Sequence, residues 1–145
     1  MIKGKLFMLE IFFSLNWINV FLALFLYSFL GFIWFTILFK KQYRISLGKE
    51  NDTEPPLAMI FVIGPMLCTL VIIITTAILF SRLEIEKSTD ALVWGSFIGI
   101  GFLSANTFNI AINPNIPKPI LYGAISSAYH LVGINVASLL LVQKF

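Results

Sequence analysis

What this chain lacks, over most of its length, is charge. Ten Lys and Arg and seven Asp and Glu residues are the only formally charged side chains among 145 residues. All of them lie outside four stretches, residues 11–39, 55–81, 91–117 and 119–143, and the shortest stretch has 25 residues. A soluble domain carries polar groups on the outer face of its helices, whereas about 20 apolar residues cross a bilayer as one helix. The sequence therefore predicts an all-α membrane protein, a four-helix transmembrane bundle.

The scarcity of cysteine, of histidine and of basic runs reduces the number of functions that the chain can have. There is one cysteine, Cys68, and one histidine, His130, whereas a metal site takes three or four ligands. We expect no disulfide, no metal and no cofactor. We expect Cys68 to be a small buried apolar residue. The net charge of +3 comes without a basic run, so nucleic acid is not an expected partner. Since no Asp, Glu, Lys or Arg falls within a stretch, ion-driven machinery is disfavoured.

The stretches predict four spans in a single domain, residues 1–145, at about 16–39, 57–80, 91–112 and 120–142. Pro55 and Pro56 are expected to open the second span. Gly64 and Pro65 are expected to kink it, because proline removes a backbone hydrogen bond within the helix.

Orientation in the membrane depends on basic residues near the span ends. Lys and Arg are balanced between the two sides, but Lys40, Lys41 and Arg44 form the tightest cluster. This cluster favours a cytoplasmic first loop in a bacterial inner membrane, with membrane lipids as the surrounding partners.

Small and polar residues recur on one face of each span. Membrane helices pack through such faces, where glycine lets backbones approach and side-chain amides and hydroxyls join helices. The packing positions predicted are Gly31, Gly95, Gly99, Gly123 and Gly133. The second span offers Gly64, Cys68 and Thr75 on one face. The pair Gly95 and Gly99 has GxxxG spacing, and we expect it to be the contact of a homo-oligomer.

The polar residues gather in the membrane half next to the first loop and the turn at 113–119, here called the first-loop half. A first hypothesis places a pocket there for a small neutral molecule or a lipid. Its candidate lining is Trp34, Asn106, Asn109, Ser126 and His130. His130 is singled out because it alone in the spans has an unperturbed pKa near neutrality.

Two other hypotheses stay open. The same polar groups serve equally well as packing contacts, since interhelical hydrogen bonds of about 0.6–2 kcal/mol are routine in bundles. The protein is then a structural or partner-binding membrane subunit. A membrane-embedded enzyme using His130 is the weakest alternative, because no carboxylate stands in the spans to orient a base. We therefore expect a protein that is not an enzyme.

Segments at both ends of the chain resemble a known family. Gly31–Phe35 (GFIWF), Phe39-Lys40 and Ala128–Val132 (AYHLV), with the glycine-rich segment Gly95–Gly101, are similar to the bacterial membrane family catalogued as domain of unknown function 1761. The resemblance covers essentially the whole chain and implies a small four-span protein, without an established activity. The chain departs from the family pattern after Trp34, where many members have a Tyr-Ser-Pro-like segment.

Overall fold

The computed structural model describes residues 7–53 and 58–144, and these residues form helices and no strands. In chain order the helices are α1 (Phe7–Ser14), α2 (Trp17–Ile33), α3 (Lys40–Ser46), α4 (Ile60–Arg82), α5 (Ser88–Ile98), α6 (Ala105–Ala111) and α7 (Pro119–Leu141). The structure also contains two π-helical segments. The first, Trp34–Leu38, extends α2, and the second, Gly99–Ser104, joins α5 to α6.

Four helical spans are long and apolar enough to cross a membrane, namely Trp17–Leu38, Ile60–Arg82, Ser88–Ala111 and Pro119–Leu141. The prediction of an all-α protein with four such helices is confirmed. The ends of the spans differ from the predicted ends by three residues or fewer. Pro55 and Pro56 lie outside the described residues. Pro65 lies inside α4, which continues through it as one helix, so the kink there stays a prediction.

The fourth span is the centre of the bundle. In the most apolar 18-residue segment of the fourth span, 44% of the residues are buried. The corresponding shares in the first, second and third spans are 17%, 22% and 28%. Helix α7 contacts α2, α3, α4, α5, α6 and the second π-helical segment. The first and third spans therefore pack mainly against α7, whereas α4 packs mainly against α2.

The first loop and the turn before α7 meet at one end of the bundle. The backbone N–H of Lys118 donates to the carbonyl oxygen of Ser46 over 3.2 Å. Gly48, with φ of +67°, packs against the ring of Pro117, and this left-handed conformation favours glycine. Both connections therefore cover the first-loop half.

The second π-helical segment overturns the predicted face of the third span. A π-helical turn accommodates one extra residue, so the residues after it are rotated by roughly 100° relative to a continuous α-helix. Gly95 and Gly99 precede the rotation and are buried, whereas Asn106 and Asn109 follow it and are exposed. Thr107, which also follows the rotation, is half-buried. The single stripe predicted along this span was therefore wrong beyond Gly99.

The predicted face of the second span was also wrong. Cys68 and Thr75 are exposed, and Gly64 is only half-buried. The buried side chains of α4 are Thr69, Ile73, Thr76, Ala77 and Phe80. Because the whole span is apolar, hydropathy does not distinguish its inner face. Cys68 and Thr75 each lie one position before a buried threonine, Thr69 and Thr76.

Candidate functional site

The most deeply placed polar contact joins the first span to the fourth. The side chain of Tyr27 on α2 is 0% exposed. Its hydroxyl oxygen lies 3.1 Å from Nδ1 of His130 and 3.1 Å from the backbone carbonyl oxygen of the same residue. A hydroxyl has one proton, so it donates to the carbonyl when Nδ1–H donates to it, and otherwise it donates to Nδ1. The only histidine thus has a hydrogen-bond partner inside the bundle.

Two glycines make room for the tyrosine rings at this contact. A Cβ atom on Gly133 would lie 1.9 Å from Cε2 of Tyr27, and one on Gly31 would lie 2.9 Å from the hydroxyl oxygen of Tyr129. The two rings also pack edge to face, with centroids 5.3 Å apart. The rings of Tyr27 and Tyr129 therefore lie directly on the glycine backbones of the opposite helix.

Trp34 belongs to the same α2–α7 interface, where it contacts the residue before Ser126. The indole Nε1 of Trp34 donates to the carbonyl oxygen of Ile125 over 3.1 Å. Ser126, the next residue, is 5% exposed. Trp34 is half-buried, and its ring packs against Phe39 with a centroid distance of 4.7 Å. The structure thus places Trp34 and His130 at contacts between α2 and α7, with Ser126 buried on α7 between them in sequence.

A line of aromatic rings fills the space between this interface and the first loop. From Tyr129 it runs to Phe35 at 5.1 Å, from Phe35 to Tyr43 at 4.8 Å and from Tyr43 to Tyr122 at 5.7 Å. We call these residues, with Tyr27, the aromatic column. Tyr43 lies in α3, outside the spans. Burial raises the pKa of its hydroxyl to about 12, and the neighbouring Tyr122 adds to the rise.

Asn106 and Asn109 do not join this interface. Both side chains are exposed on the outer surface of α6. Within the part of the chain that the structure describes, neither side-chain amide has a hydrogen-bond partner. The rotation at the π-helical segment accounts for their position, and it separates them from His130.

The glycines of the third and fourth spans lie at contacts within the bundle. A Cβ atom on Gly95 would lie 2.5 Å from Oγ of Ser138, and one on Gly99 would lie 2.8 Å from Cδ1 of Leu131, both on α7. A Cβ atom on Gly123 of α7 would likewise lie 2.5 Å from Cε1 of Phe108. The Gly95 and Gly99 face is therefore covered by the chain's own fourth span. GxxxG spacing does not distinguish a contact within a chain from one between chains, and self-association of the protein stays a prediction.

Sequence reasoning missed a polar pair near this face. The hydroxyl of Ser96 on α5 donates to Oδ1 of Asn135 on α7 over 3.1 Å, and Nδ2 of Asn135 donates to the carbonyl oxygen of Leu131 over 2.9 Å. The available signal was an asparagine in the middle of an apolar stretch. Such a residue needs a partner in the membrane.

Two cavities stand out among the described residues. The smaller, of about 180 Å³, lies at the end of the bundle away from the first loop, where Ser14 and Asn16 face Phe80 and Ile85. The larger is an open cleft of about 620 Å³ beside the first loop, lined by Ile37, Leu38, Lys40, Lys41, Gln42, Arg44, Glu50 and Asp52. Neither is lined by Trp34, Ser126 or His130. In the same described residues, no three His, Cys, Asp or Glu side chains are grouped to hold a metal ion.

The chain was compared with protein families, curated proteins and solved structures. No curated protein and no solved structure matches the chain. A family model described as "Protein of unknown function (DUF1761)" matches residues 18–142, which include all four spans except the first residue of the first. The chain therefore belongs to the DUF1761 family of proteins of unknown function.

Proposed function

We propose that this protein is a non-enzymatic membrane subunit that works by assembling with a second copy of itself through the outer face of α6. The observation that carries the proposal is the pair of exposed, unpartnered amides of Asn106 and Asn109. Asn106 lies about 8 Å from the end of its span at Ala111, at a rise of about 1.5 Å per residue. At that depth an asparagine amide is stabilised most by a hydrogen bond to another protein group.

The surface around these amides allows a neighbouring helix to approach closely. Gly101, Ala105 and Asn109 are spaced four residues apart, and all are exposed. A Cβ atom on Gly101 would meet nothing within 4 Å. Small residues with this spacing, together with amides, are typical of contacts between membrane helices.

A second copy of the chain suits this surface chemically. Each asparagine side chain carries both donors and acceptors, so the same residue from two copies forms a complementary pair. A two-fold axis places identical patches face to face. No other type of side chain is required on the partner, which supports self-association over a partner of different composition.

The packing of the first-loop half supports a structural role for the other candidate residues. Tyr27 with His130, and Trp34 with the carbonyl of Ile125, form hydrogen bonds within the chain. The aromatic column occupies the adjacent space. These contacts favour an interior that holds the bundle together over an interior pocket for a small neutral molecule.

Disulfide cross-linking tests the proposal. In a Cys68→Ser background, Ala105→Cys should form a disulfide-linked dimer on mild oxidation in native membranes. Val71→Cys, on the exposed outer face of α4, is the matched control and should remain monomeric. Equal cross-linking of both variants would show random collision and would contradict the proposal.

A further inference from the structure

The open cleft beside the first loop combines apolar and charged walls. Ile37 and Leu38, the last residues of the first span, are 65% and 55% exposed, and they form its apolar side. The charged side comes from α3 and the loop after it. The cleft therefore lies where the hydrocarbon layer meets the headgroup region, and its volume of about 620 Å³ falls in the usual range of small-ligand sites.

A break in the helix creates this arrangement. The π-helical segment ends at Leu38, and Phe39, with φ of −118° and ψ of 16°, separates it from α3. The hydroxyl of Thr36 donates to the carbonyl oxygen of Phe32 over 2.5 Å, in the last turns before the break. Because α3 starts in a new direction, Lys40 and Lys41 line a cleft together with the apolar end of the span.

The charges of the cleft are of both signs. Arg44 donates to the backbone carbonyl oxygen of Asp52, which holds the loop against α3, and Lys40 also has an interaction within the chain. Lys41 and Glu50 are exposed, and neither has an ion-pair partner among the described residues. Asp52 is exposed in the same cleft, and its carboxylate also has no ion-pair partner among the described residues. The cleft thus presents one free cation and two free carboxylates above an apolar floor.

We infer that this cleft binds the headgroup of an aminophospholipid, a lipid that carries a phosphate and a primary amine. The phosphate contacts Lys41, supported by the positive field of Lys40 and Arg44, since basic side chains near a membrane surface attract phosphate groups. The ammonium group contacts the carboxylates of Glu50 and Asp52. The acyl chains leave the cleft over Ile37 and Leu38. A lipid with phosphate alone would leave the Glu50 carboxylate unmatched.

Native mass spectrometry of the purified protein, with phosphatidylethanolamine, phosphatidylglycerol or inorganic phosphate added, tests this inference. The wild type should retain phosphatidylethanolamine about tenfold more than phosphatidylglycerol, as expected for one charge-assisted contact. The double variant Glu50→Gln/Asp52→Asn should abolish that preference while keeping phosphatidylglycerol binding. Lys41→Gln should weaken the binding of both lipids about tenfold.

The controls separate this site from general attraction of lipid to a basic protein. Lys87→Gln removes an exposed lysine from the loop between α4 and α5, and it should change nothing. Equal retention of the two lipids by the wild type would overturn the inference, as would equal effects of Lys41→Gln and Lys87→Gln. Inorganic phosphate that binds with the strength of the lipid would overturn the assignment to a lipid.

Discussion

The Tyr27 hydroxyl oxygen contacts two atoms of His130, Nδ1 and the backbone carbonyl oxygen, each at 3.1 Å. Tyr27 is fully buried on the first span, and His130 lies on the central fourth span. This contact joins the two spans whose packing also includes Gly133, Gly31 and Tyr129. It indicates that the only histidine of the chain holds helices together.

We expect Tyr27→Phe to destabilise the bundle by about 1 kcal/mol, because it removes one interhelical hydrogen bond and keeps the ring. The measurement is the free energy of unfolding in mixed detergent micelles. A double-mutant cycle with His130→Phe should give a coupling energy of similar size. Thr75→Val, an exposed residue of α4, serves as the control for loss of a hydroxyl. A coupling energy of zero would show that the contact between the Tyr27 hydroxyl and Nδ1 of His130 does not stabilise the fold.

Gly133→Ala should destabilise the protein by about 1–3 kcal/mol, the usual cost of overpacking a core. The new methyl group would lie 1.9 Å from a ring atom of Tyr27, and the buried ring has little room to move. Gly64→Ala is the matched control, since a Cβ atom there meets only Cδ1 of Ile60, at 3.8 Å. The thermal midpoint should fall for the first variant only. Equal midpoints would contradict the close packing of α2 on α7.

Tyr43 gives the stability of the protein a dependence on alkaline pH. Its folded-state pKa of about 12 exceeds the ordinary value of 10, so the folded state disfavours ionisation. The contribution of Tyr43 to stability is therefore complete below pH 10 and is lost as the pH rises from 10 to 12. Unfolding midpoints measured between pH 8 and 12 should fall less steeply for Tyr43→Phe than for the wild type. Identical slopes would show that the Tyr43 hydroxyl is not shielded from solvent.

The number and length of the spans followed from the sequence because charge is excluded from every segment that crosses the membrane. Which face of a span points inward was harder to predict. In the first and fourth spans Gly31 and His130 lay on the predicted inner faces, since those helices have no irregularity before these residues. In the third span one π-helical turn after Gly99 moved Asn106 outward. Periodicity at 100° per residue contains no signal for such a turn.

The candidate site was partly predictable for a related reason. Trp34, Ser126 and His130 were expected to line a pocket. The structure places Trp34 and His130 at contacts between α2 and α7 and buries Ser126 on α7, and neither cavity among the described residues includes them. Tyr129 was not singled out, because an aromatic residue in a span resembles any lipid-facing one. The cleft beside Lys41 depends on the break at Phe39, and only the backbone geometry shows it.

Asn106→Leu and Asn109→Leu should leave the fold of the single chain intact, because both side chains are exposed and have no partner among the described residues. Removing a polar amide from the outer surface should not lower the helix content measured by circular dichroism. At a dilution where the wild type is monomeric, the unfolding midpoint of the double variant should equal or exceed that of the wild type. A large loss of helix would show that the amides support the bundle itself.

The number of chains per particle tests the central claim most directly. Fluorescently labelled protein is reconstituted in liposomes at low density, and photobleaching steps are counted for single particles. Self-association through α6 predicts two or more steps for the wild type and for Thr75→Leu, which alters an exposed polar residue of α4. It predicts one step for the double variant Asn106→Leu/Asn109→Leu. One step for the wild type, or equal step numbers for the wild type and the double variant, would contradict the account.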